Sequence, residues 1–211
     1  GVYRFDGQRF TPEDDTQGFG LKGFVRALHA GRDGRLWVSV QGSGVFYRNP
    51  LDGSYARVGQ GDTAAGIPDL ELGDVWAFAE DPGGALWITD AARGLFRLEA
   101  QGGARGHQHY FEGQSLRAVH LDPHRGVWAG GRIGLYHRAA GAAGFVQIPG
   151  LKGHFVYAIH AAADGRLWIG TQDSGSAIHD PRTGATHWLD AAEAGAPWMP
   201  LWVESFAERV P

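Results

Sequence analysis

Asp33-Gly34-Arg35-Leu36-Trp37 returns along the chain as Gly83-Gly84-Ala85-Leu86-Trp87, Arg125-Gly126-Val127-Trp128 and Asp164-Gly165-Arg166-Leu167-Trp168. The four tryptophans are 50, 41 and 40 residues apart. A period of about 40–45 residues, rich in strand formers, is the pattern of one four-stranded blade per repeat. The phrase therefore predicts an all-β protein, a β-propeller.

The strands around each phrase repeat too. Before it stands a short apolar strand: Val25–Leu28, Val75–Phe78, Leu116–Val119 and Val156–Ile159. A turn with Asp and Gly leads into the tryptophan strand. A third strand starts near Gly44, Gly94, Gly134 and, less distinctly, Gly175, and a fourth carries Tyr55, Tyr110, Phe145 or Trp188. Four strands joined by hairpins make a blade. Inside-outside alternation is blurred, as expected where stacked blades bury both faces.

The ends carry partial units. Residues 1–10 read as the last two strands of a preceding blade, and Val203–Glu208 matches Val75–Glu80, a first strand. The expected organisation is one partial propeller domain over 1–211. It begins with the end of a blade and a linker at 1–23. Four complete four-stranded antiparallel blades follow at 24–73, 74–114, 115–154 and 155–201, and the first strand of a next blade at 202–211. With Gly1 in place of an initiator methionine, this is expected to be an arc of a larger propeller and a piece of a longer protein.

Composition narrows the function. Among 211 residues there are 34 glycines and no cysteine, and the net charge is −4. Glycine at this level suits many tight turns. The absence of cysteine excludes disulfides and thiolate metal sites. The charge gives no basic surface for nucleic acid. No apolar run reaches the roughly 18 residues that would span a bilayer.

The stretch from Val156 to Gly175, with Val-x-Ala-Ile, Asp-Gly-Arg-Leu-Trp-Ile-Gly-Thr and a later Gly, resembles the two-component regulator propeller repeat, and the likeness extends over nearly the whole chain. Ser39-Val40 and Ala129-Gly130 depart from the Gly-Thr that follows Trp, and Gly175-Ser176-Ala177 lacks the usual Gly-Leu. The resemblance implies the periplasmic sensor region of a bacterial receptor. Such a receptor has a membrane span and a histidine kinase or diguanylate cyclase (GGDEF) output outside this chain. It also implies a small-molecule or saccharide ligand, no cofactor, no catalysis in the propeller, and signalling through a homodimer.

Candidate site residues lie where the repeat varies. One first-strand position carries Arg26, Trp76, Arg117, Tyr157 and Glu204, and a small residue always follows it. Small side chains suit the crowded hub, and the variable set beside them suits a small polar or anionic ligand. Arg26 and Arg117 are the natural contacts for a carboxylate or phosphate. The alternative is that these side chains pack between blades. Two insertions, Gly59 to Gly73 and Asp190 to Leu201, also break the repeat, and Trp198 and Trp202 in or beside the second are candidate ligand contacts. The repeating tryptophans themselves are expected to be structural.

Three first-strand histidines, His29, His120 and His160, provide an alternative reading: a lyase or hydrolase with a divalent metal among imidazoles. Equivalent positions on different blades rarely reach one ion, so local hydrogen bonding is preferred and no metal is expected. A protein-interaction platform built on the two insertions is a further alternative. His107 and His109 share one face of an outer strand and read as an exposed edge. Asp62, Asp69, Glu71 and Asp74 make the first insertion acidic without calcium-loop spacing. Gly18-Phe19-Gly20-Leu21-Lys22-Gly23 matches a phosphate-loop pattern, yet a repeat strand rather than a helix follows it, so a turn is expected.

Overall fold

The computed structural model describes residues 1–13, 21, 23–59, 70–99, 106–189 and 203–206. Most of the Gly18–Gly23 stretch, Asp62, Asp69, Trp198 and Trp202 lie outside the described residues. The chain divides into two units, Gly1–Gly113 and Gln114–Pro211.

The first unit opens with a two-stranded hairpin, β1 (Tyr3–Phe5) and β2 (Phe10–Pro12). Two four-stranded sheets follow. One holds β3 (Val25–Ala30), β4 (Leu36–Val40), β5 (Gly44–Arg48) and β6 (Tyr55–Arg57). The other holds β7 (Val75–Glu80), β8 (Leu86–Asp90), β9 (Gly94–Leu98) and β10 (His107–Tyr110). The second unit repeats the arrangement with β11 (Leu116–Asp122), β12 (Gly126–Gly131), β13 (Gly134–Ala139) and β14 (Val146–Gln147). A single 3-10 turn at Pro149–Leu151 leads to β15 (Val156–Ala161), β16 (Leu167–Thr171), β17 (Ser176–His179) and β18 (Thr186–Trp188). Every sheet is antiparallel, with strands paired in chain order.

The Asp/Gly turn explains why the phrase recurs. Asp33 accepts from the Arg35 amide at 3.0 Å and Asp164 from the Arg166 amide at 2.9 Å. The glycines three residues before Trp37, Trp87 and Trp168 have φ near +80°, where a side chain is strained. In the third sheet Asp122 takes over the turn, accepting from the His124 and Arg125 amides.

Period-2 alternation sends side chains to both faces of a sheet. In the first sheet, Val38, Val40 and Phe46 join Val2 and Leu21 on one side. Trp37, Val45 and Tyr47 join Val75, Ile88 and Phe96 of the second sheet on the other. In the second unit Trp128, Leu135, Val156, Leu167 and Ile169 form the equivalent core. Trp37, Trp87 and Trp128 are buried, whereas Trp168 is half-buried, with the Phe206 ring edge-on at 6.1 Å.

Val203–Phe206 takes no strand pairing, yet it occupies the place of a first strand. Its Val203 amide donates to the Thr171 carbonyl at 2.8 Å. A Cβ on Gly170 would meet the Val203 carbonyl, just as one on Gly130 would meet the Val156 side chain.

Candidate functional site

The first strand of each of the four four-stranded sheets is bulged at the same point. Pairing steps from Val25↔Val40 to Ala27↔Ser39, from Val75↔Asp90 to Ala77↔Thr89, from Leu116↔Gly131 to Ala118↔Gly130, and from Val156↔Thr171 to Ala158↔Gly170. The residue left outside the ladder is Arg26, Trp76, Arg117 or Tyr157. These are the positions at which the repeat varies. A bulge frees a residue from the register of its neighbours and re-aims its side chain. The small residue that follows resumes pairing.

In the first unit two of these residues meet. The Arg26 guanidinium lies 4.3 Å from the centre of the Trp76 ring and 4.8 Å from that of Phe24. Asp74 completes the group: its Oδ1 is 3.8 Å from Arg26 Nε, and its Oδ2 accepts from Trp76 Nε1 at 3.1 Å. The Arg26 side chain keeps 22% of its surface accessible and Asp74 34%, while the Phe24 ring is exposed. The same pairing recurs in the second unit, where Arg117 lies 5.6 Å from the rings of Phe155 and of Tyr157. Glu204 is exposed on the Val203–Phe206 segment. An arginine of one blade thus lies within cation–π distance of an aromatic residue of the next.

The first-strand histidines pack locally, the His29 ring 6.5 Å from that of Phe78 and the His160 ring 6.5 Å from that of Phe206. His29 Nε2 sits 3.5 Å from Glu80 Oε2, and that oxygen also accepts from the Arg32 amide at 2.9 Å. In the second unit burial holds the His120 imidazole below its ordinary range, neighbouring His160 lowers it further, and Asp122 opposes the shift. Among the described residues no group of three or more His, Asp or Glu converges as metal ligands would.

Sequence reading missed the polar anchors behind the blades. Asp90, fully buried at the end of β8, accepts from the amides of Gly73, Ala92 and Arg93 at 2.7, 2.8 and 3.0 Å. It occupies the place of Thr171, whose hydroxyl accepts from the Ser174 amide and donates to the Gly175 carbonyl. His179 is 2% exposed, bonded through Nδ1 to Thr186 Oγ1 and edge-on to Trp128. His137 stacks on the Trp128 ring at 3.8 Å. The departure of Asp90 from the Thr of the phrase was the one available signal for any of these.

Comparison with known proteins adds the family-level context. Residues 150–173 match the two component regulator propeller model. No curated protein matches the chain. Among solved structures it is similar to the extracellular domain of BT3049 from B. thetaiotaomicron, assigned to a hybrid two component system. That match has a TM-score of 0.66 and 17% identity over 88% of this chain and 27% of the other. It is also similar to PorZ, a surface component of the type-IX secretion system of Porphyromonas gingivalis, at TM-score 0.72 and 15% identity over 97% and 33%. A third likeness, at TM-score 0.54 and 15% identity over 77% and 54%, is to virginiamycin B lyase from Staphylococcus aureus. These establish the β-propeller fold. The chain spans about a quarter to a third of the length of the first two structures. No described helix is long and apolar enough to cross a membrane.

Proposed function

We propose that this chain is the extracytoplasmic, ligand-sensing propeller segment of a bacterial two component or cyclic-di-GMP receptor, and that the bulged first-strand residues contact the ligand. The observation that carries the reading is the coincidence of bulge and variation. The first-strand position released from pairing in all four blades carries Arg26, Trp76, Arg117 and Tyr157 in turn, always large or charged and always followed by alanine. A scaffold that holds its frame and varies its released side chains is built for recognition.

The chemistry favours an anionic group, a carboxylated saccharide or a small organic acid. The Arg26 guanidinium lies close to the Phe24 and Trp76 rings, and its N–H groups are natural donors to a carboxylate. Such a ligand competes with Asp74 for those donors. The Trp76 indole, tied to Asp74, then registers the change. A signal follows only if the ligand binds two receptor states unequally. The extracellular placement and signalling role of the BT3049 domain support the assignment of location and of role. The reading gives the chain no reaction.

Calorimetry of the full-length protein's ectodomain against neutral sugars, sugar acids and small organic acids tests this. Binding of an anionic member is expected, weakened about tenfold or more by Arg26→Met, since a hydrogen bond to a charged group contributes about 1.5–3 kcal/mol. Unchanged affinity in Arg26→Met and Arg117→Met, or no binding across the panel, would contradict it.

A further inference from the structure

A second site lies at the outer rim of the first unit, away from the bulged residues. Where the insertion after β6 rejoins the second sheet there is an open cleft of about 500 Å³, lined by Leu70, Glu71, Arg93, Phe96, His109 and Glu112 among others. Its floor is apolar, with Leu70 and Phe96 buried. The exposed imidazole of His109 covers Phe96 in a near-parallel stack, 4.2 Å between centroids and 8° between planes. His109 Nε2 is 2.6 Å from the Arg93 carbonyl, so that nitrogen carries the proton and Nδ1 is an acceptor when the ring is neutral. The Arg93 guanidinium is taken up by Glu71, at 2.6 Å to its carbonyl and 3.1 Å to its carboxylate.

Glu112 reaches the cleft through an unusual backbone. Phe111, the residue before it, has φ of 57° and is the one non-glycine residue with positive φ among the described residues. That conformation is costly for an aromatic side chain, and such outliers persist where the surroundings impose them, often at binding sites. The chain turns there because the outer strand passes close to β9: a Cβ on Gly94 would meet the Phe111 and Tyr110 carbonyls at 2.3 and 2.5 Å. The turn sets the Glu112 carboxylate on the rim, beside the imidazole platform.

We infer that this cleft binds a saccharide ring, neutral or amino-substituted, laid on the His109–Phe96 stack with its donors on Glu112. The platform is flat, as the apolar face of a pyranose requires. Glu71 and Arg93 pair with one another, so Glu112 is the carboxylate left on the rim, with the imidazoles of His107 and His109 as the other polar side chains of the lining. A ligand rich in hydroxyl or ammonium donors fits, and an anionic one is repelled. This preference is opposite to that of Arg26 and Arg117, so the cleft stands even if the bulged residues bind nothing.

Titration of the full-length ectodomain with cellobiose, with the disaccharide of glucosamine and with digalacturonate, followed by NMR, tests it. Amide shifts at Ala92, His109 and Gly113 report the cleft, and the Trp76 indole reports the bulged residues, so the two sites succeed or fail separately. The expected result is shifts at the cleft with the first two sugars and none there with digalacturonate. Glu112→Gln, an exposed change that leaves the fold intact, is expected to weaken the glucosamine disaccharide about tenfold or more. No cleft shifts with either sugar, equal shifts with digalacturonate, or full affinity in Glu112→Gln overturns the proposal.

Discussion

Trp128 shows what a single position in the repeat has to satisfy. Its ring is stacked by His137 and met edge-on by the buried His179. Burial holds the His179 imidazole below its ordinary range; nearby His137 lowers it further, while Asp180 and the Ala185 backbone oppose the shift. His120 is shifted the same way, chiefly by burial. In the unfolded chain both titrate near 6.5. Below that value the unfolded state binds protons that the folded state refuses, so stability is full above about pH 6.5 and falls as pH drops toward the lowered folded values. Denaturant melts from neutral to mildly acidic pH are expected to show that slope, and His179→Gln to flatten it. A slope that is unchanged in the variant would show that His179 does not contribute. Asp90 makes a separate prediction at this scale. Asp90→Ala strands three amide donors in a buried place and is expected to cost roughly 2–4 kcal/mol in a thermal or denaturant melt.

Among elements, the tryptophan strand and its neighbours were legible because each repeat states the same pattern in slightly different words. Strand ends were less so. β11 runs on to Asp122, and β14 begins at Val146, one residue after the aromatic Phe145 expected to mark it. The bulges could not be read, because a bulge belongs to the register between two strands and neither strand records it alone. Its trace was the variable position followed by a small residue, which sequence reading found and left open between ligand contact and packing. Arg26, close to the Trp76 and Phe24 rings, shows that packing is part of its role. The cleft was hidden for another reason. Its rim depends on the left-handed Phe111, a conformation that no residue pattern announces, and His107 and His109 looked like an edge. Blade contact is also set by residues without side chains: Gly130 lies where a Cβ would come within 2.4 Å of Val156 Cγ1. Gly130→Val is expected to force β12 and β15 apart at a cost of about 1–3 kcal/mol or more, read as a lowered Tm. Gly59, with φ of 86° and the Leu70 carbonyl 2.3 Å from where a Cβ would sit, closes the base of the first insertion. Gly59→Ala is expected to destabilise the protein by about 1–3 kcal/mol, and a stability equal to the parent's would contradict that tight closure.

At the scale of the whole molecule, sequence and fold argue differently. The repeat phrase makes the propeller, and the likeness to propellers of quite different roles, a two component system, a secretion component and a lyase, shows how little the frame itself decides. Function has to come from what departs from the frame. Here the departures are ordered: one released residue per blade, alternating arginine with an aromatic residue in each unit, and one open cleft at Leu70 and Glu71, where the first insertion rejoins the second sheet. The account's central claim is that the released residues hold an anionic ligand. It is tested most directly by calorimetric titration of the full-length ectodomain with sugar acids and small organic acids, in the parent and in Arg26→Met. The account predicts binding of an anionic ligand by the parent, weakened about tenfold or more in the variant. Equal affinity in the two proteins, or no anionic ligand bound by the parent, would contradict it.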